Sequence, residues 1–419
     1  MRKLIPQAIM LAYHWCVALT AALWYQFPSR KLTVIGVTGT NGKSTTVEIL
    51  HHIFEEAGHK TASASSLRFR IGSDEVVNDK KMTMPGRFFV QKFLFDAKAK
   101  GCDIVILETT SEGARQFRHA HIAFDTVAIT NLTPEHIESH GGFEQYREAK
   151  LKIFRSLNSS WKKKKHIIVN AAMKDAKRFI DAAPHAEVWE YARDARLLES
   201  SLHAVSPSEV LFEHGISFTI DKTHFESALE GEFNLENILC AIAVASAHHI
   251  PPESTRQGVS KVLGVPGRLE YISRAPFAVV VDYAHTPDAL TKVYETLKPQ
   301  AKRFVCVLGA AGGGRDKWKR PELGKIADQF CDEIILTDED PYDEDPKIII
   351  DEVSKGITTH KPIIELDRKK AIEMAIQKAS GGDTIVVTGK GAEPLMALSG
   401  GKKIPWDDRV IARNILGKS

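Results

Sequence analysis

Short runs of β-branched and other apolar residues alternate along this chain with longer segments whose apolar residues recur every three or four positions. The short runs predict buried strands at 33–38, 103–108, 126–131, 277–283, 304–308, 333–337 and 384–388. The segments between them, such as 47–57, predict helices. This alternation is typical of parallel sheets covered by helices, so the sequence predicts an α/β fold.

Turn residues interrupt the pattern at Pro266 and Gly267, where a second α/β unit is expected to begin. We therefore expect a hydrophobic N-terminal helix within 1–30, a central domain with a parallel-rich sheet at 31–266 and a C-terminal Rossmann-like domain at 267–419. A length of 419 residues agrees with two or three domains.

The stretch from Ile9 to Phe27 is almost wholly apolar and is flanked by the basic pairs Arg2-Lys3 and Arg30-Lys31. As a helix it would be about 28 Å long, close to the thickness of a bilayer core. No small-residue cleavage site follows it, so a secretory signal peptide is not expected. A helix associated with a membrane and a helix docked on the protein both remain open.

Composition excludes some classes of protein. The net charge is only +3, so the chain lacks the basic footprint of a nucleic-acid-binding protein. The one dense basic run, Lys162 to Lys165, is interpreted as a solvated loop. Five scattered cysteines without a C-x-x-C pair predict neither a disulfide framework nor a zinc ribbon, and they agree with a reducing cytoplasm.

The predicted strand at 33–38 leads directly into the glycine-rich sequence TGTNGKST and then into a helix. In such a strand–loop–helix unit the backbone N–H groups surround phosphates. Lys43 would place its charge on the β and γ oxygens, and Ser44 can ligate Mg²⁺. Val37 stands where the general P-loop pattern has its first glycine. The segment predicts a nucleoside-triphosphate site.

Other polar residues stand at the ends of predicted strands, where α/β folds gather their ligands. Glu108 and Asn131 end two of these strands, and Glu135 and His136 follow shortly after the second. A carboxylate and an imidazole near a phosphate loop would suit a divalent cation that several phosphate oxygens also hold. A single strand-end glutamate is more often a capped or solvated acid.

Lys150 lies within the apolar stripe of a predicted helix, whereas Lys152 points away from it. The positions on this face are Phe143, Tyr146, Lys150, Ile153, Phe154 and Leu157. One interpretation is a lysine whose stem covers the core while its amine reaches water. The other is a desolvated amine with a lowered pKa, which can react.

Seven motifs, in this order and spacing, resemble those of the Mur ligases, ATP-dependent enzymes that form amide bonds in peptidoglycan synthesis. They are TGTNGKST (38–45), TNLTPEH (130–136), YREAK (146–150), PGRLE (266–270), VDYAHTPD (281–288), GGGRDKWKRP (312–321) and GKGAE (389–393). The resemblance runs from about Lys31 to the end of the chain. It is strongest to the branch that adds the third residue of the stem peptide to UDP-N-acetylmuramoyl-L-alanyl-D-glutamate.

The resemblance implies that ATP activates a carboxylate as an acyl phosphate, which an amine then attacks. ATP would be bound by Gly39, Thr40, Asn41, Gly42, Lys43, Ser44, Thr45, Asn131, Asn237, Arg268 and Asp282. Mg²⁺ would be held by Ser44, Glu108, His136 and a carbamylated Lys150. The residues that the family uses in catalysis would be Lys43, His136, Lys150 and Arg268.

The two other substrates would have their own residues. The muramoyl-peptide acceptor would contact Thr83, Thr110, Ser111 and Arg118. The incoming amino acid would lie in a cleft between the two domains, at Arg315, Asp340, Tyr342, Gly389 and Glu393.

Three departures from the family pattern affect these expectations. About 30 residues precede the first ATP-site strand, too few for the family's UDP-binding domain, so a partner chain could supply that domain. The acceptor motifs Thr-Thr-Pro and Ser-Ser-His read Thr-Met-Pro at 83–85 and Thr-Ser-Glu at 110–112. The diaminopimelate signature Asp-Asn-Pro-Arg reads Glu-Asp-Pro-Tyr at 339–342, so its arginine is replaced by Tyr342.

Tyr342 cannot pair with the distal carboxylate of diaminopimelate through a charge-assisted fork. The sequence therefore favours a diamine such as L-lysine or L-ornithine, whose ammonium group Asp340 and Glu393 could pair. Lys319 and Arg320 are candidates for a substitute cation.

Two alternatives to a muramoyl-peptide ligase remain open. One is a related ATP-dependent ligase, such as a folylpolyglutamate or poly-γ-glutamate synthetase. The other is a non-catalytic binding protein that keeps the fold. In each case the expected location is the cytoplasm, at the inner face of the membrane if residues 9–27 bind it.

Overall fold

The chain divides into two compact units in the computed structural model, which describes residues 7–198 and 203–418. The first unit contains the residues up to Pro134 and the segment Phe143–Leu263. The second contains Glu135–Gly142 and the residues from Gly264 onward. The second unit thus begins close to the expected boundary, but the segment Glu135–Gly142, which the sequence placed in the central domain, belongs to it as well.

A parallel-rich sheet forms the centre of the first unit. Its strands β1 to β9 are Thr33–Thr38, Thr61–Ala64, Arg68–Ile71, Asp74–Val77, Ile104–Glu108, Thr126–Ile129, His166–Asn170, Glu187–Tyr191 and Ala204–Val205. Over the described residues their order is β4-β3-β2-β5-β1-β6-β7-β8-β9. The pairs β2–β3 and β3–β4 are antiparallel and the other pairs are parallel. Strand β1 therefore lies between β5 and β6, and the carboxyl ends of all three meet at one edge.

Helices cover the sheets in both units. In chain order α1 to α14 are Gln7–Trp24, Lys43–Glu56, Arg87–Ala99, Ser111–Arg115, Ile137–His140, Phe143–Arg155, Ala176–Asp181, Glu232–Ala247, Pro252–Ser260, Pro287–Leu297, Lys319–Phe330, Pro346–Ser354, Arg368–Gln377 and Asp408–Ile415. Helix α2 packs against α8 and α9. An antiparallel sheet follows β9, with β10 at Ser208–Leu211, β11 at Ile216–Ile220 and β12 at Thr223–Ser227.

Helix α1 packs on α3 through small side chains. Ala18, Ala21 and Ala22 are buried, because residues three and four apart face the same side of a helix. Among the described residues no helix combines the length and apolar character needed to cross a membrane. The structure thus has a helix docked on the protein here, and Arg2 and Lys3 lie outside the described residues.

The second unit is built on a mixed sheet. Its strands β13 to β18 are Glu270–Ser273, Ala278–Asp282, Phe304–Leu308, Glu333–Leu336, Ile363–Ile364 and Thr384–Thr388. In the part of the chain that the structure describes, their order is β13-β14-β18-β15-β16-β17, with only β13 antiparallel to its neighbour. A hairpin follows, formed by β19 at Leu395–Ala397 and β20 at Lys403–Pro405.

A disulfide joins Cys306 in β15 to Cys331 at the end of α11. The sequence analysis predicted no disulfide because the cysteines show no recognisable spacing, and that prediction is wrong for this pair. Parallel strands β15 and β16 lie side by side, which brings a cysteine within β15 close to one that directly precedes β16. The spacing of 25 residues does not reveal this contact.

Candidate active site

The loop between β1 and α2 requires glycine at two positions. Gly39 has φ 144° and Gly42 has φ 82°, both outside the range that other L-residues readily adopt. A Cβ atom on Gly39 would lie 2.0 Å from Thr130 Oγ1, and one on Gly42 would lie 2.0 Å from Asn237 Oδ1. The glycines therefore let the backbone approach both neighbouring segments.

The end of β6 holds this loop in place. Asn131 Oδ1 accepts a hydrogen bond from the N–H of Asn41 at 2.9 Å, and Asn131 Nδ2 donates to the Asn41 carbonyl at 3.1 Å. The Thr40 N–H donates to the Asn131 carbonyl at 3.0 Å. Asn131 thus fixes the loop conformation, and its role in binding ATP remains a prediction.

Lys43, Ser44 and Thr45 open helix α2, where unpaired N–H groups and the helix dipole favour an anion. The Lys43 amine donates to the carbonyls of Thr40 at 2.6 Å and Gly39 at 3.1 Å. These bonds keep the positive charge directly over the loop. The three side chains thus lie where a phosphate cradle needs them.

Ser44 and Glu108 form a buried oxygen pair. Ser44 Oγ donates to Glu108 Oε2 at 2.9 Å, and the Ser66 N–H donates to the same oxygen at 2.8 Å. The parallel pairing of β1 with β5 places Val37 opposite Glu108, which brings the carboxylate to the base of the loop. Two adjacent hard oxygens at a phosphate loop fit Mg²⁺, which takes few protein ligands alongside phosphates and water.

Within residues 7–198 and 203–418, no three His, Cys, Asp or Glu side chains are grouped to hold a metal ion by themselves. The donor set at Ser44 and Glu108 therefore fits an ion that is completed by substrate oxygens. It does not fit a permanent structural metal.

The Lys150 side chain is 1% exposed, and its amine reaches the same loop. Lys150 Nζ donates to the Gly39 carbonyl at 2.7 Å and lies 4.7 Å from the centre of the Tyr146 ring. The Tyr146 hydroxyl is hydrogen-bonded to Thr40 Oγ1 at 3.0 Å. The amine is thus buried at the loop, which excludes the interpretation in which it reaches water.

His136 belongs to the second unit, unlike the other residues expected around the metal. It has φ 55° and directly precedes α5. Burial lowers the pKa of His136 to about 4, so its imidazole is neutral at pH 7. Neutral imidazole is the form that can ligate a metal. The joint site of His136 with Ser44, Glu108 and Lys150 remains a prediction.

The expected acceptor residues cluster around α4 and the segment before α3. Thr110 caps α4 by accepting from the Gly113 N–H at 3.0 Å, and Ser111 is buried. Arg118 donates to the Met84 carbonyl and to Gln116 Oε1. Thr83 and Glu108 line one pocket, whose other walls are Ala64, Met84, Pro85, Phe89, Val90, Phe93 and Leu107. Part of the expected acceptor site thus adjoins the carboxylate of the expected metal site.

The remaining nucleotide residues are divided between the units. Asn237 lies in the first and donates to Asn234 Oδ1 at 3.0 Å. In the second, Arg268 stacks over the Tyr283 ring, with its guanidinium carbon 4.1 Å from the ring centre. The Asp282 carboxylate accepts from the N–H groups of Leu269 and Ala284, both at 2.6 Å, while burial raises its pKa.

Two of the expected amino-acid residues bind a lysine that the sequence analysis did not single out. Lys390 Nζ donates to Asp340 Oδ2 at 2.9 Å and to Glu393 Oε2 at 2.5 Å. Gly389, with φ 107°, lies against Glu339, since a Cβ there would be 2.0 Å from Glu339 Oε2. The two carboxylates expected to pair with a substrate ammonium thus already hold a cation of the protein.

Lys319 and Arg320 are both buried and held by other groups. Lys319 donates to the His285 carbonyl at 2.8 Å, and Arg320 pairs with Glu344 and Glu352. The suggestion that either could serve as a substitute cation is therefore not supported. Arg315 is instead exposed and donates a hydrogen bond to Tyr342.

Comparisons with known families match two segments of the chain. Residues 37–245 match the Mur ligase middle domain, and residues 267–391 match the Mur ligase, glutamate ligase domain.

Similar proteins of known name agree with these matches. UDP-N-acetylmuramoyl-L-alanyl-D-glutamate--2,6-diaminopimelate ligase of Gloeobacter violaceus is 36% identical, over 96% of this chain and 81% of the relative. UDP-N-acetylmuramyl-tripeptide synthetase of a Roseiflexus species is 37% identical, over 95% of this chain and 81% of the relative. A solved structure of a UDP-N-acetylmuramoyl-L-alanyl-D-glutamate--2,6-diaminopimelate ligase superposes with a TM-score of 0.61 at 28% identity, covering 92% of this chain and 78% of the other.

Proposed function

The chain belongs to the Mur ligase family of ATP-dependent ligases, and on that premise we propose that it joins a diamino acid to a UDP-N-acetylmuramoyl-dipeptide. The Gloeobacter relative is named as a ligase for such a dipeptide and 2,6-diaminopimelate, and the Roseiflexus relative as a UDP-N-acetylmuramyl-tripeptide synthetase. The observation that carries the proposal is the convergence of Lys43, Ser44, Glu108 and Lys150 on one loop.

The proposed roles follow from the chemistry of phosphoryl transfer. The N–H groups at the start of α2 and the Lys43 ammonium bind the triphosphate. They also neutralise the negative charge on the γ-phosphoryl group during its transfer. The acceptor carboxylate attacks the γ-phosphorus of ATP, ADP leaves, and an acyl phosphate forms. The amine of the amino acid then attacks the acyl carbon, and phosphate leaves as the amide forms.

Ser44 and Glu108 would hold Mg²⁺, which neutralises phosphate charge during the transfer. Lys150 is buried beside them at Gly39. Reaction of its neutral amine with CO₂ forms a carbamate N–C bond and releases one proton. The modification converts a buried base into an anionic oxygen donor, which suits a cation-binding site better than the free amine does.

We infer that the amino acid is diaminopimelate rather than the lysine or ornithine that the sequence favoured. That preference required Asp340 and Glu393 to be available for a substrate ammonium, but both bind Lys390. The family motif has an arginine where this chain has Tyr342. Arg315, which is hydrogen-bonded to Tyr342, supplies a cation at this place. A second carboxylate on the substrate would have Arg315 as its partner.

ADP release tests the proposed function. The purified enzyme is given ATP, Mg²⁺ and UDP-N-acetylmuramoyl-L-alanyl-D-glutamate, with and without an amino-acid mixture, and the products are identified by mass. We expect ADP to form only when acceptor and amino acid are both present, together with a UDP-muramoyl-tripeptide. ADP release that requires a folate or a glutamate polymer as acceptor would contradict the proposal.

A further inference from the structure

Helix α1 exposes an uncharged apolar face. The exposed fractions are 59% for Ile9, 58% for Tyr13, 58% for Leu23 and 74% for Trp24. These positions fall on one side of a helix with 3.6 residues per turn. On this side Thr20 Oγ1 donates to the Cys16 carbonyl at 2.9 Å, so this hydroxyl is satisfied within the helix.

The opposite face of α1 is covered by the protein. Ala18, Ala21 and Ala22 are at most 2% exposed, and the Tyr25 ring lies 5.6 Å from the Phe95 ring. Residues 7–24 include no Asp, Glu, Lys or Arg, so most of the helix surface is apolar. Helices of this composition are normally enclosed. Here the chain encloses only one half of the helix.

Basic residues adjoin this face through an aromatic stack. The guanidinium of Arg30 lies 4.2 Å from the Phe27 ring centre and 4.4 Å from that of Trp161. Trp161 is 74% exposed, and Lys163 and Lys164 next to it are exposed as well. Arg30 therefore connects the segment that follows α1 with the loop at 161–165.

The loop at 161–165 is anchored at its second residue. Lys162 forms an ion pair with Asp125 at 2.9 Å and donates to the Leu32 carbonyl. This fixes the loop beside the segment that follows α1. The exposed lysines that follow, Lys163 and Lys164, are thus held near the segment that follows α1.

We propose that this surface docks on an anionic lipid membrane. We call it the docking face, defined as Ile9, Tyr13, Leu23, Trp24, Arg30, Lys31, Trp161, Lys163 and Lys164. Tryptophan and tyrosine favour the boundary between headgroups and acyl chains. A helix that lies in this boundary combines an apolar side with neighbouring cations. In this arrangement α1 would lie along the surface of the bilayer.

Charge favours lipid over a second copy of the chain. In a two-fold dimer the same patch meets itself, so cations of the docking face would approach the cations of its copy. Anionic headgroups instead complement Arg30, Lys31, Lys163 and Lys164. The docking face is separate from the ATP loop, and the inference does not depend on which amino acid the enzyme adds.

Vesicle sedimentation of the purified full-length protein tests the inference. The vesicles contain either phosphatidylcholine alone or phosphatidylcholine with 30% phosphatidylglycerol, a composition chosen on the order of natural anionic membranes. We expect the protein to pellet with the anionic vesicles and to be released in part at about 0.5 M salt, where charge is screened within about 4 Å.

Two variants separate the apolar from the charged contribution. Leu23→Glu combined with Trp24→Glu should reduce binding to anionic vesicles about tenfold or more, because it places charge in the apolar face. Lys163→Ser combined with Lys164→Ser should also reduce it about tenfold or more, since each lost cation is worth roughly fivefold. All four side chains are exposed, so ATP turnover should stay unchanged.

Matched controls lie elsewhere on the first unit. Leu263→Glu changes a side chain that is 80% exposed, and Lys174→Ser removes an exposed lysine. Both should bind vesicles as the wild type does. Failure of the wild type to pellet with anionic vesicles would overturn the inference. Unchanged binding by both double variants would also overturn it. The same holds if the wild type is a dimer in sedimentation velocity and the variant with Leu23→Glu and Trp24→Glu is a monomer.

Discussion

Replacing Lys150 by methionine should abolish ligation while leaving the protein folded. Methionine keeps an unbranched apolar stem in the buried stripe and removes only the amine. The contacts of the Lys150 amine include a charge-assisted hydrogen bond to the Gly39 carbonyl, at 2.7 Å, and an approach to the Tyr146 ring. A charged hydrogen bond contributes about 1.5–3 kcal/mol, and a desolvated cation–π contact about 2 kcal/mol.

The cost of burying the ammonium, several kcal/mol, opposes these gains. The net stability of Lys150→Met should therefore stay within about 2 kcal/mol of the wild type, or a few degrees in Tm. Activity should fall much further. Removing one group that stabilises charge at a transition state costs about 10²–10³ in kcat, or about 3–4 kcal/mol. The two measurements thus separate a catalytic from a packing role.

The assay is ADP release with acceptor and amino acid present, alongside a thermal melt. Lys152→Met is the matched control: its amine lies 5.5 Å from the Phe117 ring, and this variant should remain active. CO₂-free buffer should slow the wild type and bicarbonate should restore it, with no such response in Lys150→Met. Near-normal turnover by Lys150→Met would refute the reasoning and leave Lys150 as a packing residue.

Three further outcomes are expected. Lys43→Ala should lose ADP release with little change in Tm, because the amine contacts only loop carbonyls in the hydrogen bonds described above. When meso-diaminopimelate, L-lysine and L-ornithine compete, the wild type should incorporate diaminopimelate. The Arg315→Ala variant should lose this preference. Lysine incorporation by the wild type would contradict the inference. Burial lowers the pKa of His248 to about 3. Below about pH 6.5 the unfolded chain therefore binds a proton at this residue that the folded chain does not bind. The free energy of unfolding should fall by about 2 kcal/mol on acidification to pH 5 because of this proton. His248→Gln should lose less stability between pH 7 and pH 5 in urea titrations than the wild type.

The parts of the site that depend on a single strand and the turn after it could be predicted from the local sequence. The strand at 33–38 agrees with β1, and the conformation of Gly39 and Gly42 explains why the glycines stand where they do. The contact of Ser44 with Glu108 follows from a general rule, because the carboxyl ends of neighbouring parallel strands meet at one edge. These features could therefore be predicted without coordinates.

Contacts between distant segments could not be predicted in this way. Helix α5 joins the second unit because Asp316 accepts from the N–H groups of Ile137 and Glu138, at 3.0 and 2.9 Å. No pattern near residue 137 indicates this partner. The pairing of Lys390 with Glu393 was more accessible, since charges three residues apart often meet, but its link to Asp340 depends on tertiary structure.

The charge balance around Lys390 supports the proposal that the amino acid is diaminopimelate. Although burial alone would lower it, Glu393 and Asp340 raise the pKa of Lys390, so the lysine stays cationic between two anions. With Arg315 included, the formal charges of these four groups cancel. The distal end of diaminopimelate carries an ammonium and a carboxylate and is also neutral, whereas the distal end of lysine carries one uncompensated positive charge. These four groups can pair with the distal end of diaminopimelate, because its carboxylate can bind the exposed guanidinium of Arg315. For lysine the same set offers no unneutralised anion, which is the physical reason to expect discrimination against it.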